Sequence, residues 1–184
     1  MRKNQSWLVF VEGETEQSLI KELKESDSLI IKDIKKFNFW DKDAKSLSPL
    51  IKPNYSIVII CDTDNLTNID RFTRNINHLA KQTKGLYIIL QHHNFEDELC
   101  YACGCQGSRL FKHFQKKASA SLSATEFKVN FLSCSNKLQR LQVINFDKNR
   151  IWSQVTLADT DLLTVKKFVS CFNELLQKIG KICK

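Results

Sequence analysis

The chain has 184 residues and is poor in those that interrupt regular structure, with 2 prolines and 5 glycines. With 42% apolar and 26% charged residues beside that scarcity, collagen-like, low-complexity and wholly disordered classes are excluded. No apolar run approaches the roughly 20 residues that a membrane-spanning helix needs. Met1-Arg2-Lys3-Asn4-Gln5-Ser6 leads straight into an apolar segment without the small-residue cleavage site of a signal peptide, so the expectation is a cytoplasmic protein with no membrane partner. A P-loop, a Gly-x-Gly-x-x-Gly turn and a serine-elbow motif are all missing, which leaves nucleotide binding by those routes and serine hydrolysis without support. Acid is scarce in one half only. Residues 99–184 carry 5 acidic and 14 basic side chains, net +9, whereas residues 1–98 are net −1. A basic excess confined to one part of a chain points to a polyanion partner, nucleic acid, with an ordinary basic surface as the alternative.

Seven cysteines, an odd number with two inside apolar runs, read as reduced thiols that serve mostly as small buried hydrophobes. The rest of the chain alternates apolar runs with amphipathic stretches. Trp7–Val11 is short, β-branched and aromatic, and predicts a buried strand that stops at Glu12-Gly13. Residues 15–23 predict a helix with Leu19, Ile20 and Leu23 on one face. Lys36–Trp40 alternates as a second strand, Tyr55–Cys61 is the clearest strand, and residues 67–82 form a helix. Leu86–Leu90 is a further strand, and Asn94 is placed to cap the helix after it. Ser108–Lys117 predicts a short basic helix, and Phe127–Leu132 a last strand. Residues 161–182 predict one long amphipathic helix. Continuously apolar strands alternating with helices mean an α/β fold, with a mainly parallel sheet of about four strands covered on both faces.

In such sheets the working residues lie just beyond the carboxyl ends of the strands. Three of the four best strands end in acid: Glu12, then Asp62 and Asp64, then Glu96 a few residues past the fourth. Carboxylates gathered there repel one another unless a cation lies between them, and oxygen donors suit Mg²⁺ or Mn²⁺. In extended chain Asp62 and Asp64 point to the same side, and Gly13 allows a sharp turn after Glu12. Each acid alone is explained as well by capping a helix; the joint pattern is the stronger signal.

Val9–Glu16, with its Glu-Gly-x-Thr-Glu run, and Ile57–Asp64, with its Asp-x-Asp, resemble the two signature motifs of the TOPRIM domain of topoisomerases, primases, OLD nucleases and small nucleases. The form of the first motif is most similar to the RloB-like and OLD-like branches, often found with bacterial defence systems. The resemblance covers about residues 5–100 and extends more weakly to 132. It implies a TOPRIM-like catalytic domain over 1–132, with Glu12, Asp62 and Asp64 as catalytic acids that hold Mg²⁺ during phosphodiester chemistry, and Glu16 as a second-metal ligand. Asn94-Phe95-Glu96 is similar to the Asn-Pro-x-Phe-Glu stretch of RloB-like proteins without its proline, and makes Glu96 a further ligand. The function so implied is a Mg²⁺-dependent nuclease acting on DNA or RNA, with anti-phage defence as its setting, a partner such as an ATPase and homo-oligomers in scope. The alternative is a non-catalytic nucleic-acid-binding or regulatory subunit.

The basic residues fit either reading. Arg109, Lys112, Lys116 and Lys117 cluster on the predicted helix after the acidic half, as a phosphate-binding face or a merely solvated one. Arg140, Lys137, Lys148 and Arg150 are scattered, with Phe146 and Trp152 nearby as base-stacking rings or, more ordinarily, core. His93 at a strand end is a candidate proton shuttle. Cys100, Cys103, Cys105 and His113 lack standard zinc-finger spacing, so zinc there is not expected. Residues 133–184 are expected as a basic C-terminal segment ending in the long helix and packed on the same domain.

Overall fold

A computed structural model describes residues 6–63, 68–116, 122–154 and 160–180. Four strands, β1 (Ser6–Val11), β2 (Ile31–Lys36), β3 (Tyr55–Asp62) and β4 (Gly85–Gln91), form one all-parallel sheet in the order β2-β1-β3-β4. Helix α1 (Glu14–Ser26) joins β1 to β2, and α2 (Ile69–Ala80) lies between β3 and β4. After β4 come α3 (Phe95–Cys103), α4 (Gly107–Phe114), α5 (Ala124–Leu132) and α6 (Lys137–Gln142), then a 3₁₀ segment Thr160–Phe168 and α7 (Phe172–Ile179).

Strand alternation sorts the core into two layers. Trp7, Val9 and Val11 with Val58 and Ile60 face α1 and the helices α3 to α7. Leu8 and Phe10 with Ile57, Ile59, Ile88 and Leu90 face α2 and both 3₁₀ segments, Ala44–Leu50 and Thr160–Phe168. Covered on both faces, β1, β3 and β4 are almost continuously apolar, as the sequence predicted, whereas the edge strand β2 buries only Ile31 and Ile34. The order in which strands are added reverses at β1, because β2 lies on one side of it and β3 on the other. That switch point opens a crevice at the carboxyl ends of β1 and β3.

Three expected elements are corrected. The second strand lies at Ile31–Lys36, not 36–40. The register slips between Trp7 and Leu8, where Ile31 and Asp33 are successive partners, so Lys32 is a bulged residue and Ile31 and Ile34 are both buried. Residues 127–132 belong to helix α5: Phe127 and Phe131 are buried one turn apart while Val129 is 58% exposed. The last segment is not one long helix. Val169 pairs with Ile88 of β4, and the Ser170 N–H donates to the Ile88 carbonyl at 2.9 Å, interrupting the helical path. Leu162 and Val165 before this break enter one core layer; Phe172, Leu175 and Ile179 after it enter the other. Among the described residues no helix is long and apolar enough to cross a membrane.

Candidate active site

Glu12 follows β1 directly, and Asp62 ends β3 beside it. The Asp62 backbone N–H donates to Glu12 Oε2 at 3.2 Å, and the Asn38 side-chain amide donates to Glu12 Oε1 at 3.0 Å. Asn38 is itself fixed: its Oδ1 accepts the N–H groups of Trp40 and Asp41, and its amide also donates to Asp41 Oδ2 at 3.0 Å. Parallel pairing of β1 with β3 sets this approach, with Val11 opposite Ile60.

Glu16 lies in the first turn of α1, buried with its carboxylate turned toward the sheet. Gln91, the last residue of β4, joins it to Asp62. The Gln91 side-chain amide donates to Glu16 Oε1 at 3.1 Å and to Asp62 Oδ1, and its carbonyl accepts the Trp152 indole N–H at 2.6 Å. A buried amide thus gives every polar atom of its head group a matching partner. Glu16 Oε2 accepts from the Thr15 hydroxyl at 2.9 Å. Any side chain at Gly13 would put its Cβ against the Glu16 carboxylate, so the small residue makes room for the acid.

Glu96, in the first turn of α3, is buried beside Glu16. Burial raises its pKa above the usual carboxylate value, the Lys128 ammonium opposes that rise, and the Glu16 charge adds to it. Lys128 Nζ lies 3.4 Å from Glu96 Oε1, an ion pair without hydrogen-bond alignment, so that buried oxygen has no hydrogen-bond donor. Beneath Glu12 and Asp62 the Cys61 thiol is pushed well up, first by burial and then by those two carboxylates. Asp64 and Lys117 lie outside the described residues.

The remaining candidates separate. His93 is exposed at the turn after β4 with φ of 59°; its ring meets that of His92 at 4.2 Å, and its carbonyl accepts the Thr63 N–H at 3.3 Å. Arg109 and Lys112 are exposed on α4, lining a shallow depression of about 400 Å³ floored by Leu122 and Ile144. Lys116 donates to the Ser133 hydroxyl at 2.7 Å. Lys137 and Arg140 hold the architecture: Lys137 is buried against Glu22, and the Arg140 guanidinium bonds the His113 carbonyl and covers the Phe114 ring at 5.1 Å. Lys148 pairs with Asp27, and Arg150 stacks on Tyr101. Trp152 is 1% exposed and belongs to the core, so its ring is not presented to a base, and Phe146 is half-buried against the same core. Cys100 and Cys103 have thiols pushed up to about 12, chiefly by burial, while His113 Nε2 lies 2.7 Å from the Arg140 carbonyl oxygen and not on a thiol.

Three residues here escaped the sequence reading. Asn38 and Gln91 are neutral amides. Glu98, 0% exposed, accepts the backbone N–H groups of His92 at 2.7 Å and Trp152 at 2.9 Å, tying the end of β4 to the turn that carries Trp152. Asn94 does cap α3, accepting the Asp97 N–H.

Among the described residues no three acids, thiols or imidazoles converge closely enough to enclose a metal ion. The donors at the crevice nevertheless suit a hard cation in type. Glu12, Asp62, Glu16 and Glu96 offer oxygen alone, one oxygen of Glu96 lacks a hydrogen-bond donor, and the Gln91 amide lies between two of the acids. Comparisons with protein-family models, with curated proteins and with solved structures gave no match to this chain.

Proposed function

We propose that the chain is a TOPRIM-type, metal-dependent nuclease that hydrolyses phosphodiester bonds in DNA or RNA. The observation that carries this reading is the meeting of Glu12 and Asp62 at the switch point of a parallel sheet, with Glu16 drawn to Asp62 through Gln91. Glu12, Asp62, Glu16 and Glu96 would hold Mg²⁺ or Mn²⁺, with Asp64 as the remaining acid of the motif. Such a cation supplies charge neutralisation at phosphorus and an acidified water. The chain's own part is to fix the acids. Asn38 and the Asp62 N–H orient Glu12, whose carboxylate exchanges protons with the attacking water or the leaving oxygen. Gln91 holds Asp62 and Glu16 at a constant separation, and burial keeps water from loosening that frame. Action in a defence system beside a partner protein belongs to the same proposal and rests on the sequence resemblance alone.

A second reading is a nucleic-acid-binding subunit without catalysis. It is favoured by the amide donors that already serve Glu12, Asp62 and Glu16. The test is cleavage of transfer RNA, single-stranded RNA and DNA, and duplex DNA with Mg²⁺, Mn²⁺ or chelator, for wild type, Glu12→Gln and Asp62→Asn. Metal-dependent cutting that both variants lose supports the nuclease. Salt-sensitive binding with no cutting, unchanged in the variants, supports the binder.

A further inference from the structure

A second charged feature lies on the other side of Asn38 from Glu12. The 3₁₀ segment Ala44–Leu50 and helix α2 enclose a cleft of about 370 Å³ whose walls carry Lys45, Arg71, Arg74 and His78, with Asp41 and Asp43 at its rim. The walls are held in register by the buried Asn75 of α2. Its carbonyl accepts the Ala44 N–H at 2.9 Å, and its amide donates to the Phe39 and Lys42 carbonyls, each at 2.8 Å.

The cations in this cleft are largely unspent. Arg71 and Arg74, three residues apart, share one face of α2. Arg74 is exposed and has no ion-pair partner among the described residues. Arg71 uses one Nη to donate to the Asp41 carbonyl, leaving most of its five donors to spare. Two carboxylates share the lining, so Lys45, Arg71 and Arg74 leave the cleft with a small cationic excess. Asp43 accepts the Lys45 N–H at 2.9 Å as the cap of the 3₁₀ segment, and Asp41 accepts from Asn38. His78 Nε2 lies 3.2 Å from the Gln82 amide nitrogen and 3.0 Å from the Ser48 hydroxyl, so this ring nitrogen is occupied within the wall. Two planar guanidinium forks on a rigid wall match a phosphate, which they grip by paired hydrogen bonds. The Asn38 amide contacts both Glu12 and Asp41, so the cleft opens directly beside the carboxylate site.

We propose that this cleft binds a phosphate of a polynucleotide strand next to the one that reaches Glu12, with Arg74 as its principal contact and Arg71 and Lys45 in support. The direction of the strand toward Glu12 rests on the nuclease reading; the binding does not. The experiment measures affinity for short single-stranded DNA and RNA by fluorescence anisotropy in chelator, between about 50 and 200 mM salt. It compares wild type, Arg74→Gln, Arg74→Lys and Arg109→Gln/Lys112→Gln. Arg74→Gln is expected to weaken binding about 3–10-fold and to lower the salt slope by about 0.7, one phosphate's share on a single strand. Arg74→Lys keeps the charge and is expected to restore the slope. Arg74 is exposed, so its variants should melt with the wild type. Wild-type affinity and slope in Arg74→Gln, loss confined to the α4 double variant, or no strand binding by the wild type would each overturn the proposal. Weakened binding by Arg74→Gln with no cleavage by any protein keeps the cleft and rejects the nuclease. Cleavage with unaltered binding by Arg74→Gln does the reverse.

Discussion

Gln91 shows what a single uncharged residue does at this site. It is fully buried, and three partners depend on its head group: Asp62, Glu16 and the Trp152 indole. Gln91→Leu keeps the volume but leaves the buried Trp152 indole N–H and Glu16 Oε1 without this amide, each at a cost of about 1–3 kcal/mol. The expected outcome is a drop of several kcal/mol in unfolding free energy by urea titration; a change under about 1 kcal/mol would contradict the network. Gly13 differs, because its φ of −113° and ψ of 170° suit any residue. Gly13→Ala displaces the Glu16 carboxylate from its bonds to Gln91 and Thr15, so it should cost about 1–3 kcal/mol through that contact rather than through backbone strain. On the proposed nuclease reading, metal-dependent cleavage should fall at least tenfold, with melting temperature and cleavage rate read on the same preparation. Glu96 provides the pH dependence. Its pKa is raised by burial, so the fold favours its protonated form. The stability this contributes is complete below the unfolded-state value of 4.5 and is lost as pH rises through the higher folded-state value. In chelator, Glu96→Gln should therefore gain stability relative to wild type as pH rises from 4 toward neutrality; a constant difference would reject the assignment. At this scale the sequence exposes Glu12 and Asp62 because acids at strand ends stand out, and Glu16 only through the resemblance of its Glu-Gly-x-Thr-Glu run. It hides Asn38 and Gln91, because neutral amides reveal their role only through the partners that folding gives them.

Elements were legible where one periodicity had no rival. β1, β3 and β4 are continuously apolar and short, and each lies within a residue or two of its expected span. The edge strand β2 was misread because the bulge at Lys32 puts Ile31 and Ile34 on the same side, which breaks the alternation that marks a strand. In α5, apolar residues at 127, 129 and 131 imitate a strand. The contrary signal is Ser123-Ala124-Thr125-Glu126, a capping-box sequence in which the Ser123 hydroxyl accepts the Glu126 N–H at 3.2 Å. Helix and strand make opposite demands here. A strand buries Val129 with Phe127 and Phe131; the helix turns Val129 to solvent. Val129→Asp should change stability by no more than about 0.5 kcal/mol. Phe131→Ala should cost about 3–5 kcal/mol. A large loss from Val129→Asp would mean that this segment is a strand after all.

For the whole molecule, the question is whether the basic second half is a separate unit. The family resemblance fades at residue 132, and the basic segment beyond it is expected to pack on the same domain. Both core layers draw side chains from that segment. Leu162 and Val165 complete the core layer under α2, and Phe172, Leu175 and Ile179 complete the layer under α1. The chain passes between the layers along β4, fastened by the Val169–Ile88 bridge. A single straight helix could not reach both faces of the sheet, and this geometric demand explains why the amphipathic stretch 161–182 does not form one. Each of these five side chains contributes about 1.5–3 kcal/mol on burial. Together they amount to about 7–15 kcal/mol, as much as the net stability of a whole domain. Trp7 in β1 and Trp152 beyond α6 lie in the same core cluster. Unfolding should therefore be one cooperative step, with tryptophan fluorescence and far-ultraviolet circular dichroism giving coincident urea midpoints. Ser170→Pro, which deletes the N–H donated to Ile88, should shift both midpoints down together. Two separated transitions, or a shift in one signal alone, would mean that the C-terminal segment folds apart from the sheet that carries the acids.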